Sequence, residues 1–311
     1  MRFASYRDHD ARQRLGVVVG DRIHALPATE PTLLELLGDH DRLSAAGDRA
    51  LSQPADIVPQ SEVELLAPVP VPPSFRDFLC FEQHLRTVSG REPEPDWYRL
   101  PIFYFSNPAG IFGPRADIPI PPGCTKFDYE LEVAAVIGGG GENLSPEEAE
   151  LHIAGYVVLC DFSARDLQVR EMALRLGPAK GKDTATSYGP WLVTADELHG
   201  RSAGRTFDLE MTASVNGREY SRGRLDSMIW SFPELVSQAS RGTRIVPGDI
   251  IGSGTVGRGC ILELSIEHGS EAYPWLKPGD EVVLEVDLLG RLEHRIVPGP
   301  ALRPLRVGEG L

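Results

Sequence analysis

Phe127-Asp128-Tyr129-Glu130-Leu131-Glu132-Val133-Ala134-Ala135-Val136-Ile137 is the most informative stretch of this chain. Its apolar end is rich in β-branched residues and too short for a lone helix, so it reads as a strand over residues 130–137. On a strand, side chains alternate between faces, which places Glu130 and Glu132 on one side. Two adjacent carboxylates repel unless solvent, hydrogen bonds or a cation compensates them. The Val-Ala-Ala-Val-Ile run makes a fully solvated edge unfavourable, so a hard cation with oxygen ligands is one explanation and a polar strand face is the other.

Further strand-like runs lie at 153–160, 207–215, 261–266 and 281–286. Helical patterns occur at 32–37, 43–51 and 231–239, with a permitted helix at 163–176 and a capped start at Ser145-Pro146-Glu147-Glu148. Gly16 to Leu26 reads as two strands around a Gly20-Asp21 turn, and the proline-rich 65–73 segment reads as a connection. The expected architecture is α+β and β-rich, with a small N-terminal α/β domain over residues 1–66 and a larger domain over 67–311.

The 311 residues include 32 glycines and 26 prolines scattered between apolar runs, as short strands and turns require. A hydrophobic fraction of 41% excludes a disordered chain. The formal charge of −14 argues against nucleic acid as a partner, without excluding a small anionic substrate. Cys80, Cys124, Cys160 and Cys260 form no CxxC pair, so they read as reduced thiols rather than a zinc ribbon. The first residues lack an apolar leader, and no apolar run nears the roughly 18 residues of a membrane span. The expectation is a cytoplasmic protein without a membrane partner.

Other chemistry-bearing groups are scattered. Asp161 ends the 153–160 strand and either faces a pocket or caps the helix after it. Asp166 is expected to pair with a neighbouring arginine. His84 is the natural general base near neutral pH, although a lone histidine is more often structural. Glu263, read as lying on the 261–266 strand, needs a partner if buried, and orienting a histidine would supply one. Lys182 could meet a carboxylate, whereas Lys180 reads as solvated. The loop Gly252-Ser253-Gly254-Thr255-Val256-Gly257-Arg258-Gly259 lacks the spacing and context of a dinucleotide fingerprint, so no organic cofactor is expected.

The ordered blocks Phe127-Asp128-Tyr129-Glu130-Leu131-Glu132, Asp161-Phe162-Ser163-Ala164-Arg165-Asp166-Leu167-Gln168, Gly181-Lys182, Ser231-Phe232-Pro233-Glu234-Leu235 and Pro247-Gly248-Asp249-Ile250-Ile251-Gly252-Ser253-Gly254-Thr255 resemble the fumarylacetoacetate hydrolase superfamily over roughly residues 75–290. The resemblance implies a mixed β-roll-like catalytic fold, often homodimeric. It also implies a divalent metal, Mg²⁺ first with Mn²⁺ or Ca²⁺ as alternatives, on Glu130, Glu132 and Asp161. The segment from Asp77 to His84 resembles the fumarylacetoacetase branch, which implies Asp77 as a fourth ligand, His84 as base and Glu263 as its orienting acid. Tyr104, Gln168, Lys182 and Thr255 match positions associated with substrate or oxyanion contact. The implied chemistry is hydrolysis of a C–C bond in a small 1,3-diketo acid or acylpyruvate, with decarboxylation or enol-keto isomerisation as the alternative. For a distal carboxylate, Arg86, Arg91 and Arg258 remain equal candidates.

Overall fold

The computed structural model describes residues 1–304. A twelve-stranded sheet forms its spine. Its main path runs Asp56–Pro59, Arg22–Ala25, Gln13–Val19, Arg2–Arg7, Thr186–Thr194, Ile153–Asp161, Leu131–Ile137, Ile250–Gly252, Phe75–Phe78 and Phe103–Phe105. A second sheet orders Arg218–Arg224, Glu210–Val215, Glu281–Val286, Gly290–Val297 and Ile118–Pro119. Pairing is mostly antiparallel, with parallel contacts such as Ile250–Gly252 against Phe75–Phe78. The result is the strand-rich α+β architecture expected from the pattern, and the strands within residues 1–66 continue the large sheet through Arg2–Arg7.

All seven residues of Leu131–Ile137 are buried, so both faces of this strand are covered. Leu131, Val133, Ala135 and Ile137 pack toward the second sheet together with Met211, Leu284 and Leu292. Ala134 and Val136 point the other way, into a core with Leu33, Leu36, Leu43 and Ala46 from the helices Leu33–Leu36 and His40–Ser52. This two-sided burial explains why the strand reads as an unbroken apolar run after Glu132.

One expected strand is a helix. Residues 261–266 lie in the helix Ile261–His268, which buries Ile261 and Leu264 one turn apart. The Ile-Leu-x-Leu-x-Ile pattern suits either period. The deciding contacts come from far away: Asp128 accepts the amides of Ile261 at 2.7 Å and Leu262 at 3.0 Å. Those are first-turn donors that a helix leaves unpaired, so a buried carboxylate there favours the helix.

His294, on Gly290–Val297, packs edge-on against Phe162, with ring centroids 5.4 Å apart, and its Nδ1 lies 2.9 Å from the Ala116 carbonyl. Burial pushes its pKa down to about 4, against the opposing pull of the Ala116 carbonyl and Asp117. The unfolded chain takes up this proton below about pH 6.5, whereas the fold resists it until about pH 4, so stability is lost as pH falls through that window. Relative to His294→Gln, the native protein is expected to lose about 1.4 kcal/mol of unfolding free energy per pH unit there, measured by urea denaturation. Parallel pH profiles for the two proteins would rule this out.

Candidate active site

The strand alternation that sorts the cores also assembles the acids. Glu132 shares the face of Ala134 and Val136, Asp161 that of Val157 and Leu159, and Asp77 that of Phe75. Glu130 precedes the strand and keeps the same parity. These four carboxylates therefore stand on one side of a run of four consecutive strands, at the edge of the core that packs against the N-terminal helices. All four are buried, with Glu132 and Asp161 fully so. Ligand oxygens of Asp77, Glu130 and Glu132 lie within 4.8 Å of one another, and Asp161 joins them through Lys182, whose Nζ bonds Glu130 and lies 2.8 Å from Asp161 Oδ2.

The strand Ile250–Gly252 separates Asp77 from Glu132, and its last residue explains how their side chains meet. A Cβ on Gly252 would lie 2.2 Å from Asp77 Oδ1, so the bare backbone lets Asp77 lean across. The Gly254 amide then donates to the same oxygen at 3.1 Å. Thr255 Oγ1 donates to Glu132 Oε1 at 3.1 Å, while Glu132 Oε2 is buried without a partner. Tyr104, opposite Asp77 in the sheet, donates its hydroxyl to Asp161 and lies 3.3 Å from Asp77 Oδ2.

Two residues to which the sequence reading assigned no role complete this network. Arg165 Nε donates to Asp128 Oδ2 at 2.8 Å, its Nη2 to Glu130 Oε1 at 2.8 Å and its Nη1 to Gln168 Oε1 at 3.2 Å. Asp128 thus binds both the arginine and the amides that start Ile261–His268. Its signal was present in the Asp128-x-Glu130-x-Glu132 alternation, which continues the acidic face one step further. The expected Asp166–arginine pair does not form among the described residues; Asp166 accepts the Thr125 amide and hydroxyl, each at 2.7 Å. Arg165, its sequence neighbour, turns inward to Asp128 instead.

His84 and Glu263, 179 positions apart, meet here: Nδ1 stands 2.8 Å from Glu263 Oε2, in contact but without an aligned hydrogen bond. The helix Glu82–Ser89 carries the histidine. Glu263 is fixed by the amides of Arg258 at 3.0 Å and Gly259 at 3.1 Å. Of the arginines considered for a distal carboxylate, Arg86 is engaged by Glu82 and Glu92 and Arg258 by Glu267, while Arg91 stands 3.9 Å from Glu94. Lys180 is exposed and paired with Asp183, as a solvated lysine should be.

Charge is unbalanced in this cluster. Five buried carboxylates (Asp77, Asp128, Glu130, Glu132 and Asp161) face two buried cations, Lys182 and Arg165, which leaves three formal negative charges. Burial and the Asp161 charge push Asp77 up to about 7, and burial together with Asp77 and Glu130 raises Glu132. Burial also raises Asp161, outweighing the Lys182 ammonium. Glu130 goes the other way: burial opposes its ionisation, but Lys182 and Arg165 together hold it below the usual carboxylate range. An all-oxygen donor set, an orphaned Glu132 oxygen and surplus negative charge fit a hard divalent cation.

The family model for the fumarylacetoacetate (FAA) hydrolase C-terminal domain matches residues 74–297. Human mitochondrial oxaloacetate tautomerase FAHD2A is 30% identical over 309 residues, covering 96% of this chain and 92% of its own length. Its bovine counterpart is 31% identical over 300 residues, covering 93% and 89%. A probable 2-hydroxyhepta-2,4-diene-1,7-dioate isomerase from Mycobacterium abscessus superposes with a TM-score of 0.74 at 25% identity, covering 96% of this chain and all of its own. Maleylpyruvate hydrolase from Sphingobium sp. SYK-6, in complex with manganese(II) and pyruvate, has the same fold, with a TM-score of 0.73 at 23% identity and the same coverage.

Gly252→Ala should fold, because the crowded atom is the movable end of Asp77. It should nevertheless weaken Mn²⁺ binding by about tenfold or more in calorimetry, as displaced supports of metal ligands do; native affinity would refute the role given to this glycine. The raised carboxylates set a pH dependence as well. The metal-free fold holds protons that the unfolded chain releases above about pH 4, so its stability declines as pH climbs through about 7. A divalent ion displaces those protons, so its stabilisation in thermal melts should be larger at about pH 8 than at about pH 5.5.

Proposed function

Because this chain belongs to the fumarylacetoacetate hydrolase family, we propose that it is a divalent-metal-dependent enzyme that hydrolyses a C–C bond in a small acylpyruvate or 1,3-diketo acid. The observation that carries this reading is the His84–Glu263 contact beside the carboxylate cluster. Asp77, Glu130, Glu132 and Asp161 would hold the ion. Mg²⁺, or Mn²⁺ or Ca²⁺ in its place, would supply Lewis-acid polarisation of a substrate carbonyl.

The protein's own groups supply the rest. With Nδ1 against Glu263, the other ring nitrogen of His84 is left to take a proton from water. The buried Glu263 carboxylate then stabilises the imidazolium, and the Arg258 and Gly259 amides keep that carboxylate from swinging away. The water oxygen bonds to the carbonyl carbon, and the C–C electron pair leaves with the departing fragment, whose charge rests on oxygen until it regains a proton. Burial disfavours the Lys182 ammonium, but Asp161 and Glu130 outweigh this and keep it protonated, so it can offer N–H donors to such an oxygen. Gln168, held by Arg165, adds a polar group that is not fully buried.

A second reading is keto-enol tautomerisation of a short oxo-acid. It is favoured by the near full-length similarity to the human and bovine oxaloacetate tautomerases. In that reaction His84 would move a proton between carbon and oxygen and no water would be added.

Incubating Mg²⁺- or Mn²⁺-loaded protein with acylpyruvates, fumarylpyruvate and oxaloacetate separates these outcomes by mass. Two fragments that together contain one added water support hydrolysis. Unchanged mass with altered enol absorbance supports tautomerisation, and carbon dioxide release supports decarboxylation. His84→Ala should retain metal affinity while losing roughly 10²–10⁴-fold in turnover; unchanged turnover would remove His84 from its assigned role.

A further inference from the structure

Beside the all-oxygen carboxylate cluster lies a donor set of different character. Glu263 Oε2 is 2.8 Å from His84 Nδ1 and 3.4 Å from Cys260 Sγ, and ligand atoms of the three residues all lie within 4.8 Å of one another. His84 is only 6% exposed, and Cys260 and Glu263 are fully buried. His84 Nδ1 has no aligned hydrogen-bond partner. A buried ring nitrogen without such a partner, close to a carboxylate and a thiol, is the arrangement a nitrogen- and sulfur-seeking ion completes.

We propose that His84, Cys260 and Glu263 form a second, inhibitory site for Zn²⁺ or a similar borderline-soft ion, distinct from the carboxylate site. Donor chemistry sorts the two: Mg²⁺ prefers oxygen ligands, whereas Zn²⁺ takes nitrogen, sulfur and oxygen tetrahedrally. The charges of the ligands match the ion. On binding, the Cys260 thiol gives up its proton to solvent, and the thiolate together with the Glu263 carboxylate balances the ion's two positive charges. The neutral imidazole adds a third ligand, and a water can take the fourth position. The Arg258 and Gly259 amides already orient Glu263, as outer-shell donors do around metal-binding carboxylates. Occupation consumes both the carboxylate and the free movement of the imidazole, so an enzyme that uses His84 as its base would stop. This inhibitory half rests on the function proposed above; binding itself does not.

Co²⁺, added to the full chain in excess Mg²⁺, tests binding without turnover, because cobalt–thiolate bonds absorb in the near ultraviolet and cobalt–carboxylate bonds do not. The band should saturate near one Co²⁺ per chain and be quenched by Zn²⁺. It should vanish in Cys260→Ser and persist in Cys80→Ser. Cys260→Ser should also weaken Zn²⁺ inhibition by at least about tenfold, read as the ratio of inhibited to uninhibited turnover of the same variant. A band that survives Cys260→Ser, or no band in the native protein, overturns the site. Should Cys260→Ser fail to fold, X-ray absorption of the Zn²⁺-loaded native protein decides: one sulfur neighbour supports the site, and an all-oxygen shell overturns it. If the spectra appear but none of the oxo-acids reacts, the proposed reaction fails and the metal site stands.

Discussion

Mutual repulsion among buried carboxylates is the constraint around which this protein is organised. Removing several like charges from water is costly unless opposite charge and hydrogen bonds compensate. Here the compensation is deliberately incomplete: Lys182 and Arg165 secure Glu130, Tyr104 and Thr255 reach Asp161 and Glu132, and one Glu132 oxygen is left without a partner. A site that is short of positive charge, in a scaffold too well packed to collapse around it, is prepared for a cation. The covering of both sheet faces supplies that scaffold, because Leu131–Ile137 has no exposed side through which the strain could relax.

The same sheet links regions that are distant in sequence. Asp128 joins Glu130 to the start of Ile261–His268 through Arg165, and Glu263 on that helix meets His84 from Glu82–Ser89. Oxygen donors for a cation and the histidine–carboxylate pair are thereby braced against one another. Each half needs its neighbour for position, which explains why the arginine is buried despite the desolvation its guanidinium suffers.

Legibility in the sequence followed the range of the interactions. Period-two alternation was enough to place Glu130 and Glu132 on one face, the Gly20-Asp21 turn located the N-terminal strands, and a leucine face located the helix at Leu33–Leu36. Asp77, Asp161, His84 and Glu263 were linked through family resemblance, since no local pattern reveals pairings across the sheet. The helix at Ile261–His268 was read as a strand because its cap comes from Asp128, which no window around residue 261 contains. Asp166, expected to pair with a neighbouring arginine, accepts from Thr125 instead, and the role of Gly252 depends on Asp77, which is adjacent in the sheet but distant in sequence.

Arg2–Arg7 adds a last consequence. It pairs with Thr186–Thr194, whose other side pairs with the strand that ends in Asp161. Loss of the first strand would leave the Leu192–Val193 end of Thr186–Thr194 with unpaired amides and carbonyls, an open template for pairing with another chain, while Thr186–Ser187 stayed paired with Ile111–Phe112. The opening residues therefore act as a guard for the sheet that carries the carboxylates, so a shortened protein would be exposed to aggregation even though every proposed ligand remained in place.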